Sequence, residues 1–217
     1  MGPYWHSEWR ARLEYPGTLA ALVVFAGVVA LASVLVRIRA TYALDLRATK
    51  ALQRWDAPFL TRIMRFLTFL SNMPTLIVIA STVLIIGVFT RAWLPALYAA
   101  GTLVAAPINL WMKTFFDRER PGEKEVRVDI RGDRFGFSYP SGHSMCSAAF
   151  YGFLAFLVYL YMRDSRIREP LVAALILVPV GVGISRIYLG DHWLSDVVGG
   201  WAFGLVIAVI AAVLYPL

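Results

Sequence analysis

The sequence of 217 residues is poor in charged side chains. They make up only 16% of the chain, whereas apolar residues reach 59%. Soluble domains carry about 25% charged residues, so an ordinary water-soluble globule is excluded. Disorder is excluded as well, because disordered chains are poor in the aromatic and branched residues that abound here. Together with a mean hydropathy of +0.64, the composition predicts a polytopic membrane protein.

Cysteine and acidic residues are also scarce. Cys146 is the only cysteine, so no disulfide can form within the chain, and it is interpreted as a small packing residue. The 14 acidic residues are outnumbered by 21 Lys and Arg, which gives a net charge of +7. Because the basic residues lie in short stretches between apolar runs, we expect membrane lipids and phosphates as partners, and no nucleic acid.

Six apolar runs are candidates for membrane-spanning helices, each of which needs about 20 mostly apolar residues. We place the spans at 18–36, 74–90, 92–112, 141–162, 170–185 and 195–217. Between the first two, residues 37–69 mix basic side chains with Leu, Trp and Phe, which predicts one or two amphipathic helices at the interface. The sequence therefore predicts an all-α fold in a single membrane domain over 1–217.

Three polar clusters interrupt this apolar pattern at the ends of spans, all on one face of the membrane. The first runs from Lys113 to Pro121, the second from Pro140 to His143, and the third covers 185–196. The chain has only three histidines, and two of them fall in these clusters. Charged groups that face the interior of a membrane bundle are costly and usually functional.

The cationic and hydroxyl groups of these clusters suit phosphoryl oxygens. Lys113 offers an ammonium group, and Arg120 and Arg186 offer forked guanidinium groups. Ser141 and Gly142 can present a hydroxyl and backbone N–H groups where the fourth span begins, and a helix N-terminus favours anions.

The two histidines and one carboxylate suit nucleophilic and acid catalysis. His192 and Asp196 are four residues apart, so they share one face of a continuous helix. Asp196 can then accept the N–H of one ring nitrogen and leave the other nitrogen of His192 to attack phosphorus. His143 remains as a proton donor for the leaving oxygen.

The combined pattern Lys-x6-Arg-Pro, Pro-Ser-Gly-His and Ser-Arg-x5-His-x3-Asp resembles the type-2 phosphatidic acid phosphatase superfamily. Its bacterial membrane branch includes phosphatidylglycerophosphatase B-like and undecaprenyl-diphosphate phosphatases, and all three blocks match in order. The resemblance implies that His192 is a nucleophile forming a phosphohistidine, that His143 is the general acid and that Asp196 orients His192. It further implies catalysis without metal or cofactor and phosphate binding by Lys113, Arg120, Ser141, Gly142 and Arg186.

The function expected from this resemblance is hydrolysis of a lipid phosphate monoester or diphosphate that enters the site from the bilayer. Undecaprenyl diphosphate, phosphatidylglycerol phosphate and phosphatidic acid all fit. Two alternatives stay open: a lipid phosphotransferase, in which an acceptor lipid takes the phosphoryl group from His192, and a non-catalytic lipid-binding or translocating protein. The sequence does not define an oligomeric state.

The resemblance and the distribution of basic residues predict opposite orientations in the membrane. The resemblance implies a bacterial inner membrane protein whose site faces the periplasm or the exterior. Most of the 21 basic residues, however, lie on the same face as the motifs, and the positive-inside rule places such a face in the cytoplasm. Several of these cations belong to the phosphate site and others to the amphipathic segment, so we expect the outward-facing arrangement.

Other charged residues lie between the motif positions and in the loop after the first motif, and we do not assign them to catalysis. Asp117, Arg118 and Glu119 are expected to be solvated or mutually paired. The loop over 122–139 carries charges that cancel, and we hypothesise that it acts as a lid over the site.

Overall fold

The computed structural model describes residues 16–129 and 136–216, with side chains from Gly27 onward; the centre of the hypothesised lid and the last residue of the sixth predicted span lie outside these ranges. Within the described ranges all regular structure is helical, which confirms the all-α prediction. In chain order the helices are α1 Pro16–Arg37, α2 Tyr42–Gln53, α3 Pro58–Phe69, α4 Met73–Phe89, α5 Trp93–Gly101, a 3₁₀ turn Thr102–Val104, α6 Ala105–Phe116, α7 Gly142–Tyr161, α8 Ser165–Tyr188 and α9 Leu194–Leu214.

Four helical segments of the described chain are long and apolar enough to cross a membrane. They are α7, α8, α9 and the combined segment Trp93–Phe116, which joins α5, the 3₁₀ turn and α6. Two bent pairs bring the number to six if each pair counts as one span: Gly27–Arg37 with α2, bent by 89°, and α3 with α4, bent by 52°. The polytopic membrane fold is therefore confirmed, and α2 and α3 occupy the interval in which amphipathic helices were predicted.

Two helices extend by four or five residues beyond the predicted span boundaries. α6 continues past residue 112 and ends where Asp117 adopts a left-handed conformation with φ 48°, so Lys113 lies in its last turn. α8 begins at Ser165 instead of 170 because the carboxylate of Asp164 caps it, accepting the N–H of Arg166 at 3.0 Å. The first turns of α8 carry charged residues, and for this reason the apolar pattern of the sequence did not indicate where the helix begins.

The core is built around α7, which packs against α9, α8 and α6. Its side chains include the fully buried Phe150 and Phe153. The contact with α9 is so close that a Cβ added at Gly200 would stand 2.6 Å from the carbonyl oxygen of Ser141. Gly at this position therefore lets the backbones approach, as small residues do between membrane helices. One consequence is that the N-terminal ends of α7 and α9 lie side by side, where the N–H of Ser141 donates to the carbonyl of Asp196 at 2.9 Å.

Candidate active site

The predicted residues meet at one end of the helix bundle. Lys113 and Arg186 lie in the last turns of α6 and α8, and His143 lies in the first turn of α7. His192 lies two residues before α9, so it is not on a continuous helix with Asp196. Arg120 lies in the segment that follows α6. The three cations interact electrostatically with both histidines. The structure thus brings the three sequence clusters together around His143 and His192.

His192 and Asp196 face each other through a fully buried contact. The Nδ1 atom of His192 lies 3.5 Å from the Oδ2 atom of Asp196, and neither side chain is more than 2% exposed. The same Oδ2 accepts the hydroxyl proton of Ser138 and the N–H of Trp193, the latter at 2.8 Å. Ser138 Oγ also stands 3.4 Å from Nδ1 of His192. Asp196 and Ser138 therefore hold one side of the imidazole ring and leave the other side to the cations.

The opposite ring nitrogen of His192 faces Arg120. The distance from Nε2 to Nη1 of Arg120 is 3.3 Å, and Arg120 is anchored by donating to the carbonyl oxygens of Asp191 and Gly136 at 3.0 and 3.1 Å. Burial, followed by the positive charges of Arg120, Arg186 and Lys113, holds the pKa of His192 well below its ordinary value of 6.5. A lowered pKa favours the neutral ring, the form in which an imidazole nitrogen can act as a nucleophile.

Arg186 is placed by a carboxylate that adjoins His192 in the sequence. Its Nη2 atom lies 3.2 Å from Oδ2 of Asp191, and both side chains are almost fully buried. Desolvated charges of this kind are tolerated only when they are paired, and breaking such a pair costs about 3–5 kcal/mol. The ion pair thus fixes the guanidinium group of Arg186 among the motif residues.

His143 is oriented by a residue from a different part of the chain. Its Nε2 atom lies 2.9 Å from Oδ1 of Asn72, which sits at the bend between α3 and α4. No sequence motif marks Asn72, and 71 positions separate it from His143. The bend in this pair of helices therefore supplies a fixed partner for the histidine of the second motif.

Ser141 and Gly142 lie at the start of α7, where the sequence predicts that a helix begins. Ser141 is the N-cap, with its Oγ 3.5 Å from the N–H of Ser144 and 3.1 Å from the hydroxyl of the same residue. Its own N–H is engaged by Asp196. The first amide groups of the helix, beginning with Gly142, are those that an α-helix leaves without intrahelical partners.

The expectation for Arg118 is wrong, because this side chain is neither solvated nor paired with its sequence neighbours. It is 9% exposed and bridges two buried carboxylates, with Nη1 2.5 Å from Oδ1 of Asp196 and Nη2 2.6 Å from Oδ2 of Asp45. Asp45 lies on α2, 73 positions earlier in the chain. An ion pair over that separation leaves no local signal in the sequence.

A polar cavity adjoins this cluster and opens beside Arg120. Its volume is about 290 Å³. It is lined by Arg39, Tyr42, Arg118, Glu119, Arg120, Glu125 and Trp193. Among the described residues no group of three or more His, Cys, Asp and Glu side chains could hold a metal ion.

Comparison with known proteins shows similarity to two bacterial phosphatases. Phosphatidylglycerophosphatase B of Bacillus subtilis is 33% identical over 101 residues, which cover 46% of this chain and 47% of that protein. Decaprenylphosphoryl-5-phosphoribose phosphatase of Mycobacterium tuberculosis is 32% identical over 120 residues, or 55% and 59% of the two chains. The chain thus matches only about half the length of these curated relatives.

The fold has a solved counterpart over most of its length. The crystal structure of a transmembrane PAP2-type phosphatidylglycerolphosphate phosphatase from Bacillus subtilis superimposes with a TM-score of 0.75 at 24% identity, covering 88% of this chain and 93% of that one. The family model of the PAP2 superfamily matches residues 92–216, a range that contains all three polar clusters. With more than half of its sequence matched by that model, the chain belongs to the PAP2 superfamily.

Proposed function

We propose that this protein is a membrane lipid phosphatase that hydrolyses a lipid phosphate monoester or diphosphate. The observation that carries the proposal is the environment of His192, with Asp196 Oδ2 3.5 Å from one ring nitrogen and Arg120 Nη1 3.3 Å from the other. A neutral imidazole between a carboxylate and a guanidinium group suits attack on a phosphoryl group that the cation binds. The names of the curated relatives, both phosphatases, support the same activity.

In the first step the Nε2 lone pair of His192 attacks phosphorus. The bond between phosphorus and the lipid oxygen breaks, and His143 protonates that oxygen as it leaves. Lys113, Arg120 and Arg186 neutralise the charge on the three equatorial oxygens, where phosphoryl transfer needs it most. The Nδ1 proton of His192 faces Asp196, which stabilises the positive charge that develops on the ring.

In the second step a water molecule attacks the phosphohistidine. His143, which lost its proton to the lipid oxygen, now takes one from this water. The bond between phosphorus and Nε2 breaks, inorganic phosphate is released and the ring of His192 is restored. Every proton in the cycle moves through side chains of this chain and water, without a metal or an organic cofactor.

The position of the site at the helix ends of a membrane bundle supports a lipid substrate. A phosphate can reach the cations there while its apolar tail stays in the bilayer and enters between helices. Undecaprenyl diphosphate, phosphatidylglycerol phosphate and phosphatidic acid all meet this requirement. The location that we propose is the bacterial inner membrane, with the site on the periplasmic or extracellular side.

Phosphate release by the detergent-purified protein tests the proposed activity. The three lipids are assayed with the wild type and with His192→Ala, in the presence of a chelator. Release by the wild type that disappears in His192→Ala supports the phosphatase, and the ranking of kcat/KM among the lipids identifies the preferred substrate. Equal release by both proteins contradicts the assignment of His192.

Two outcomes of the same assay favour the alternatives. Transfer of labelled phosphate to a second lipid without release of free phosphate points to a phosphotransferase. Retained lipid binding without release or transfer points to a non-catalytic protein. The orientation is tested separately by a reporter fused to the C-terminus: with six spans a cytoplasmic C-terminus supports the outward-facing site, and a periplasmic one contradicts it.

A further inference from the structure

Arg118 is the centre of a buried charge cluster, although it is not one of the fixed residues of the three motifs. Its guanidinium group donates through Nη1 to Asp196 Oδ1 at 2.5 Å and to the hydroxyl oxygen of Ser195 at 2.7 Å. Through Nη2 it donates to Asp45 Oδ2 at 2.6 Å. Both carboxylates are fully buried. One guanidinium group thus pairs with two desolvated carboxylates. Buried carboxylates need such a partner, because a buried charge without an opposite charge and hydrogen bonds is very costly.

Asp45 is in turn fixed against the first turn of α9. Its Oδ1 accepts the N–H of Ser195 at 2.8 Å, and its Oδ2 accepts the hydroxyl proton of Ser195 at 2.7 Å. Because Ser195 immediately precedes Asp196, α2 is joined to the catalytic end of α9 both directly and through Arg118. The contact explains why an acidic residue occupies the buried face of α2, a helix whose other charged side chains, Arg47 and Lys50, are basic.

Arg118 also supports Asp196 from a second direction. Its carbonyl oxygen accepts the N–H of Ser138 at 2.7 Å. The hydroxyl group of Ser138 in turn donates to Oδ2 of Asp196, the oxygen that faces His192. Arg118 therefore holds Oδ1 with its side chain and helps to place the donor to Oδ2 with its backbone.

We propose that Arg118 and Asp45 form a positioning pair that holds the Asp196 carboxylate against His192 and ties this catalytic geometry to α2. The inference rests on the proposed phosphatase function. Arg118 contacts Asp196 and Ser138, both of which face His192, so we assign it to the orientation of the nucleophile and not to phosphate binding. It differs in this from Arg120, two positions later, which contacts the ring of His192 itself.

Kinetics of Arg118→Gln, Arg118→Lys and Asp45→Asn test this proposal against the wild type. Misplacing a reacting group by about 1 Å can cost about 100-fold in rate, so we expect kcat of Arg118→Gln to fall by about 10- to 100-fold. KM should stay within about twofold, because an interaction that acts only in the transition state lowers kcat and kcat/KM equally. Arg118→Lys keeps the charge but not the fork, and its kcat should be intermediate.

The matched control is Arg168→Gln. Arg168 also pairs with a carboxylate, 3.1 Å from Glu169, but it lies near the start of α8, whereas the site lies at its end. Its kcat should equal that of the wild type. The double variant Asp45→Asn with Arg118→Gln should lose little more activity than Arg118→Gln alone. Asn keeps an oxygen that can accept the N–H of Ser195, so Asp45→Asn removes chiefly the charge that acts through Arg118.

The outcomes separate this proposal from the function on which it rests. A wild type without phosphatase activity contradicts the proposed function. An active wild type with an equally active, folded Arg118→Gln contradicts the positioning role, as does a rise in KM at unchanged kcat. If Arg118→Gln does not fold, Arg118→Lys and Asp45→Asn decide: wild-type kcat in both refutes the proposal, and a reduced kcat at unchanged KM and unchanged melting temperature supports it.

Discussion

Asn72 and His143 are in direct contact, with the Oδ1 atom of Asn72 2.9 Å from the Nε2 atom of His143. Asn72 is the residue before α4, at a helix start, yet its side chain makes no capping hydrogen bond. A helix start favours Asn because its side chain can satisfy an unpaired backbone N–H. Here that capacity is used for a histidine of another helix, so the contact links the α3–α4 bend to the proposed general acid.

Replacing Asn72 by Ala should slow catalysis without unfolding the protein. No cap is lost, so the melting temperature should change little, whereas the ring of His143 loses its fixed partner. We expect kcat to fall by about tenfold, which is about 1.4 kcal/mol of transition-state stabilisation. In a His143→Ala background the same replacement should have almost no further effect. An equal loss of activity in both backgrounds would contradict the positioning of His143 by Asn72.

The pH dependence of kcat/KM should reflect the environment of His192. Only the neutral ring can attack, so activity falls on the acidic side as His192 is protonated. Because burial and the neighbouring cations hold its pKa well below 6.5, this fall should occur at a pH well below 6.5. Removing the nearest cation with Arg120→Gln should move the acidic limb to higher pH, since protonation of the ring becomes easier.

Arg120→Lys is the control for that measurement. It retains a positive charge near Nε2, so its acidic limb should stay closer to that of the wild type although its KM rises. Comparing variants on one lipid cancels the titration of the substrate phosphate. An acidic limb that stays in the same place in Arg120→Gln would contradict the electrostatic origin of the shift.

The sequence predicted the fold class and grouped the motif residues because both depend on local patterns. Apolar runs define spans, and ends of successive spans meet at one membrane face, so Lys113, His143 and His192 could be expected to lie together. The contacts of Arg118 and Asn72 could not be predicted from local patterns, because the partners of these side chains lie more than 70 positions away in the sequence. Their side chains became interpretable only when the bends between α1 and α2 and between α3 and α4 were known.

The close packing of α7 on α9 leads to a prediction about stability. A Cβ at Gly204 would overlap the carbonyl oxygen of Met145 and stand 2.8 Å from the Cβ of Ala148. Gly204→Ala should therefore destabilise the protein by about 1–3 kcal/mol, the usual cost of overpacking. Gly101→Ala is the control, because no atom lies within 4 Å of a Cβ there and the gain in helix propensity is similar. Equal melting temperatures of the two variants would contradict this account.

Ser138 should matter for the rate, although it belongs to none of the three motifs. Its hydroxyl group donates to the Asp196 oxygen that faces His192, and it stands 3.4 Å from Nδ1 of His192. In Ser138→Ala this buried carboxylate loses one donor, and loss of a hydrogen bond to a charged group costs about 1.5–3 kcal/mol. If that cost falls on the transition state, kcat drops by about tenfold or more at unchanged KM.

The matched control is Ser147→Ala, since Ser147 is equally buried and its hydroxyl group donates to the backbone carbonyl of Ser144, at 3.2 Å. Full activity of Ser138→Ala, or an equal loss in Ser147→Ala, would show that the hydroxyl group does not orient the pair of Asp196 and His192.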